Sequence, residues 1–95
     1  MGQARAGMFL QRALNLLNNE AKTYPDIAVD GGVGAMTLAA LDAYLRQRNS
    51  GEGRAVLLWL VRAFRAGRYA EIAEARPSQE VFMYGWIARQ VREAA

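Results

Sequence analysis

Between Ala28 and Thr37 the chain reads Ala-Val-Asp-Gly-Gly-Val-Gly-Ala-Met-Thr, and no other stretch constrains the fold as strongly. Three of the four residues from Gly31 to Gly34 are glycine. Asp-Gly favours a tight turn, because glycine reaches positive φ without a Cβ clash and the aspartate can bond its own downstream backbone. An apolar helical pattern stops before this stretch and another starts after it. The chain must therefore turn here and bring two helices together across the turn.

Upstream, Leu10, Ala13, Leu14, Leu17 and Ala21 recur at helical spacing and predict a helix over 8–21. Gln11, Arg12, Asn15, Asn18 and Asn19 fall on its polar side. Residues 22–29 read as a loop: Pro25 biases Tyr24 towards extended backbone. Ile27 and Val29, alternating about Ala28, suggest a short extended segment leading into the turn. Downstream, Leu38, Leu41 and Leu45, with Ala40 and Tyr44 alongside, predict a helix over 35–48. Arg46 and Arg48 fall in its last turn, where cations suit the negative helix end. Asn49-Ser50-Gly51-Glu52-Gly53 breaks it.

Residues 54–66 carry Val56, Leu57, Leu60, Val61 and Phe64 on one broad face, with Leu58 and Trp59 on other sides. A helix apolar over most of its girth is expected at the centre of a fold. Gly67 reads as its C-terminal cap. A short helix is expected over 68–76, and Pro77 then opens a last helix over 77–93. Gly85 inside that helix costs about 1 kcal/mol against alanine, which predicts another backbone close by. The expected fold is all-α: a small bundle of about five helices around the central apolar helix 54–66, in a single domain over 1–95.

Composition limits the chemistry. The 95 residues contain no cysteine and no histidine. That removes disulfides, thiolate and imidazole metal sites, and Ser-His or Cys-His nucleophiles. Carboxylates remain, but none of the nine sits in an evidently apolar setting that would raise its pKa. Asp26 and Asp30 do not match a calcium loop. Gly31-Gly32-Val33-Gly34 precedes a helix without the Lys-Ser/Thr of a nucleotide-binding loop. No catalytic residue, metal or cofactor is expected. Eleven of the twelve basic residues are arginine, which leaves anionic partners open. From Arg46 to Arg68 six arginines face one glutamate, so a helix-turn-helix with a basic stripe is one reading. Against it, the first connection is longer than that motif's compact turn. No stretch approaches the 18 or so apolar residues of a membrane span. Met1-Gly2-Gln3-Ala4-Arg5-Ala6 has no apolar run of signal-peptide length.

With its flanks the glycine-rich stretch becomes specific. Leu10-Gln11-Arg12-Ala13-Leu14-Asn15, a loop, and then Val29-Asp30-Gly31-Gly32-Val33-Gly34-Ala35-Met36-Thr37-Leu38-Ala39-Ala40-Leu41 resembles a peptidoglycan-binding module. The matching pattern is Leu-Gln-x-x-Leu-Asn followed by Asp-Gly-x-apolar-Gly-x-x-Thr-x-x-Ala. Arg68-Tyr69, Arg76-Pro77-Ser78-Gln79-Glu80-Val81-Phe82 and Gly85-Trp86-Ile87-Ala88-Arg89 resemble the C-terminal peptidoglycan-binding domain of family 108 glycoside hydrolases. Those are muramidase-like lysozymes found among phage endolysins and bacterial proteins. The likeness runs from about Met8 to Arg92.

Two positions depart from the family pattern. Ala35-Met36 stands where a proline often follows the turn. The Glu-Gly-Gly-Tyr motif of the family's catalytic domain is absent, so Glu52 inherits no general-acid role. The resemblance implies a non-catalytic module that binds peptidoglycan and targets an attached or associated muramidase. It implies synthesis in the cytoplasm and action at the cell wall or periplasm. Tyr24, Asp30, Gly31, Val33, Gly34 and Thr37 are the candidate ligand-binding residues. The alternatives are a DNA-binding helix-turn-helix-like domain, or a protein-interaction domain built on a degenerate wall-binding fold.

Overall fold

The computed structural model describes residues 3–19, 21–48 and 51–94. They form four α-helices: α1 (Gln3–Leu16), α2 (Ala35–Gln47), α3 (Gly51–Ala75) and α4 (Glu80–Ala94). A 3-10 turn, Pro77–Gln79, joins α3 to α4. Among the described residues there is no strand, so the all-α expectation holds at the level of fold class.

The helix count and the central helix do not. The predicted helices 54–66 and 68–76 are one continuous helix, α3. Gly67 lies in its middle and does not cap it. A left-handed cap needs positive φ, which among the described glycines only Gly31 adopts. A lone interior glycine costs about 1 kcal/mol, too little to stop a helix with good formers on both sides. Nor is 54–66 enclosed on all sides: Val56, Leu58 and Trp59 are exposed, and Leu57 is the one buried large residue of the segment. Gly85 is corrected too. It lies exposed, and a Cβ there would meet nothing within 4 Å. No neighbouring backbone explains it. Pro77 opens the 3-10 turn, with α4 following three residues later.

The described residues form two compact units, one up to Val61 and one from Arg62 onward. The first contains α1, α2 and the start of α3. Its core is Phe9, Ala13, Leu14, Tyr24, Ile27, Ala40, Tyr44 and Leu57. Helix α1 starts five residues before the apolar period predicts. The extra turn, Gln3 to Gly7, brings small residues against the glycine-rich turn. A Cβ on Gly7 would lie 2.6 Å from the Gly31 carbonyl oxygen. The helix ends at Leu16 rather than Ala21. The Leu17 N–H makes the last i→i−4 bond, to Ala13, and Asn18 steps back to Asn15. Asn19 and Ala21 then adopt positive φ, at 51° and 61°. The carbonyl of Leu14 accepts the Tyr24 hydroxyl at 2.6 Å, so a buried side chain caps the end of α1.

At the other end of α2 the Arg48 N–H closes the helix on Tyr44. Tyr44 is almost completely buried and donates its hydroxyl to the Gly53 carbonyl at 2.6 Å. That bond ties the first turn of α3 to α2. In the second unit α4 returns antiparallel along the later part of α3. Trp86 stacks on Tyr69 at 4.9 Å between centroids and on Phe82 at 6.0 Å. At the far end a half-buried Arg65 meets the exposed Glu93 carboxylate at 3.7 Å, a surface pair of small energetic weight.

The tyrosine caps give a pH prediction. Burial, chiefly, with Tyr44 and Asp26 nearby, pushes the Tyr24 hydroxyl up from 10.0 to about 12, against the opposing pull of Arg48. The folded value lies above the unfolded one. This contribution is therefore complete below pH 10.0 and lost as pH climbs to about 12. Denaturant midpoints measured across that range should fall for the parent chain. They should fall less for Tyr24→Phe; Tyr44, also raised by burial, supplies the remainder.

Candidate wall-contact site: an amide-braced turn and a leucine groove

Three amide side chains fall at i, i+4 and i+7: Gln11 and Asn15 on α1 and Asn18 in the turn just after it. That spacing lines them along one face. Periodicity places them on the solvent side; the structure buries Gln11 and Asn18 to 1% and 0% exposure. The reason is the segment from Thr23 to Gly32. It runs antiparallel alongside α1 in extended form and has no strand to pair with. Its backbone groups need partners, and the three amides supply them.

Asn18 accepts the N–H groups of Thr23 (3.2 Å) and Tyr24 (3.1 Å), and donates to the Tyr24 carbonyl and to Asp26 Oδ1. Asn15 pairs with both backbone groups of Ile27, at 2.9 Å for the N–H and 2.8 Å for the carbonyl. Gln11 closes the series. Its Oε1 accepts the N–H groups of Asp30 (3.1 Å) and Gly31 (2.8 Å). Its two Nε2 hydrogens are shared among Thr37 Oγ1 (3.0 Å), Asp30 Oδ1 (3.1 Å) and the Gly32 carbonyl (3.1 Å). One side chain thus joins α1, the turn and the first turn of α2.

The turn itself is fixed from both sides. Asp30 Oδ1 accepts the Gly32 N–H at 2.9 Å. That bond first, and the Gln11 amide second, hold the Asp30 carboxyl below its ordinary value. Gly31 has φ 82°, and a Cβ there would sit 2.6 Å from the Ala4 carbonyl oxygen. Gly34 precedes α2 in extended conformation without a side-chain cap.

The six candidate residues therefore separate. Asp30, Val33 and Gly34 are exposed on the turn, and Gly31 is half-buried beneath them. Tyr24 and Thr37 are buried, at 7% and 3% exposure, and support the turn from within. Gln11, Asn15 and Asn18, which hold the turn, are not among the six. Three amides on one helical face, opposite a loop that has backbone groups but no strand, was the signal that marks them.

A second surface lies in the same unit. Leu10 of α1, Leu41 and Leu45 of α2 and Leu57 of α3 line an open cleft of about 790 Å³, with Arg48 and Arg54 at its edge. The lining includes no aromatic, carboxylate, hydroxyl or amide side chain. Among the described residues neither arginine pairs with a carboxylate. Also among them, no three His, Cys, Asp or Glu side chains come together as metal ligands. No described helix is long and apolar enough to cross a membrane.

Comparison with known proteins adds one match. A search of curated proteins finds none similar to the chain. A family model described as "Predicted Peptidoglycan domain" matches residues 5–91, which takes in the amide series, the braced turn, the groove and most of α4. Family membership supports a cell-wall binding role, of a kind that is typically non-catalytic, with peptidoglycan as the ligand. On that match the chain belongs to the predicted peptidoglycan domain family.

Proposed function

We propose that this chain is the wall-holding module of a lytic system, which keeps an attached or associated muramidase on peptidoglycan. The observation that carries the reading is the family match over residues 5–91. The likeness of the second half to the domain of family 108 glycoside hydrolases supports the muramidase partner. The module works through local concentration: once it holds the polymer, each encounter of the catalytic domain with its bond becomes intramolecular. Asp30, Gly31, Val33 and Gly34 form the contact surface at the turn, and Tyr24 and Thr37 keep it in shape. A preformed turn is an advantage, because ordering it on binding would cost part of the contact energy.

The test compares a muramidase catalytic domain alone with the same domain joined to this chain. On insoluble sacculi at limiting enzyme, the joined form should act about tenfold faster or more, while soluble oligosaccharides are cleaved at equal rates. Equal rates on sacculi would overturn the targeting role.

A further inference from the structure

We infer that the leucine groove between α1, α2 and α3 takes the peptide stems of peptidoglycan, with Arg48 and Arg54 holding stem carboxylates. This rests on the wall-binding reading above and deepens it, since that reading leaves open which part of the polymer is held.

Peptidoglycan offers two chemistries. Its glycan strands present hydroxyl and acetamido groups around every ring. Its stems present small alkyl side chains and free carboxylates. The groove is complementary to the second. Its floor is aliphatic, from Leu10, Leu41, Leu45 and Leu57. A sugar pressed into such a surface would leave its hydroxyl groups without partners, which is costly. It would also find no aromatic face to stack on, because none lines the cleft. Alkyl side chains suit the leucines. Carboxylates suit the guanidinium groups, which offer planar two-point hydrogen bonding.

Charge points the same way. The two arginines share the cleft with no acidic residue and spend no charge on an internal pair among the described residues. Arg46, by contrast, is held by Asp42 at 3.0 Å one turn away and is absent from the lining. The Asp30 turn carries an exposed carboxylate, which repels the stem's acids. The groove and the turn therefore differ in what they attract.

The experiment titrates the intact 95-residue chain with three probes, using calorimetry. These are stem peptide released from sacculi, the same peptide with its carboxylates amidated, and glycan strands stripped of peptide. Pelleting with whole sacculi is measured alongside. Expected is binding of the free stem, with affinity falling about tenfold or more on amidation. Arg54→Gln and Arg48→Gln should each show a comparable loss, and Arg46→Gln none. Both groove arginines are exposed, so their replacement should leave the thermal melt in place. Sacculus binding with stripped glycan binding and no stem binding overturns this inference and leaves the wall-binding reading standing. Stem binding unchanged in both groove variants also overturns it. No binding to sacculi or to either fragment overturns both.

Discussion

Gln11→Ala should lower the stability of this chain by about 3 kcal/mol, the largest effect of any single truncation outside the apolar core. Five hydrogen bonds end on this side chain. Some of the abandoned partners near the surface can turn to water, which is why the cost is not several times larger. Thr37 cannot readily do so, being buried. An unpaired buried polar group costs about 1–3 kcal/mol. The truncation also leaves a void where the almost fully buried Gln11 side chain lay. A domain of this size holds roughly 5–15 kcal/mol in all. The expected fall in melting temperature is therefore about 15 °C or more.

Gln11→Glu separates the hydrogen bonds from the packing. It keeps the shape and the acceptor oxygen but replaces the Nε2 donor with a second acceptor facing Asp30 Oδ1. At neutral pH two carboxylates would meet there, so the variant should be at least as unstable as Gln11→Ala. On acidification the new carboxyl takes up a proton, becomes a donor and recovers part of the loss. A melting temperature within 3 °C or so of the parent for Gln11→Ala would show that the side chain does not organise the turn.

Gly31→Ala should cost about 3 kcal/mol as well, for a different reason. The residue has φ 82°, where a side chain is strained by roughly 1–2 kcal/mol before any contact is counted. The added Cβ would then sit 2.6 Å from a backbone oxygen of Ala4, which cannot swing aside as a flexible side chain would. Either α1 or the turn must shift, and the Gln11 bonds to the Gly31 and Asp30 N–H groups shift with it. Gly32→Ala is the matched control one residue away. Its Cβ would meet only Asp30 Oδ1, at an ordinary 3.5 Å, and its φ is not in the left-handed region. A thermal melt should place Gly32→Ala within a few degrees of the parent and Gly31→Ala at least 10 °C below it. Equal melts for the two would mean that the turn is not clamped against α1.

These two positions also show what the sequence made legible. Asp30-Gly31 announces a turn because its backbone requirement is local, and Gly31 alone among the described glycines adopts positive φ. Helix α2 is readable to within a residue from its leucine periodicity after the glycine turn, whereas of the expected Asn49–Gly53 breaker Gly51–Gly53 open α3 and Asn49-Ser50 lie outside the described residues. The brace was not readable as structure. Hydrophobic periodicity counts Gln11, Asn15 and Asn18 as a wet face, because it has no term for backbone groups arriving from another segment. Their spacing held the clue, but only the path of Thr23 to Gly32 gives it meaning. The same limit explains Tyr24 and Thr37. Nearness in sequence to the turn makes each a ligand candidate, and the fold buries both.

The long helix shows the opposite failure. The sequence suggests tertiary reasons for Gly67 and Gly85, a cap and a close approach. Each sits in an ordinary helix with nothing within 4 Å of where a Cβ would be. A glycine in a helix carries a fixed local cost, and that cost does not say whether the fold recovers it. The groove was likewise invisible as a unit, since Leu10, Leu41, Leu45 and Leu57 come from three helices and meet only after folding.

If the family's wall-binding capacity resides in this chain, the 95 residues suffice to hold sacculi. The most direct measurement is co-sedimentation with purified, nucleic-acid-free sacculi across a salt series, with duplex DNA as the competing polymer. The chain should pellet with sacculi at moderate salt and should not be displaced by DNA. A chain that stays in the supernatant with sacculi, yet shifts duplex DNA with a steep salt dependence, would contradict it.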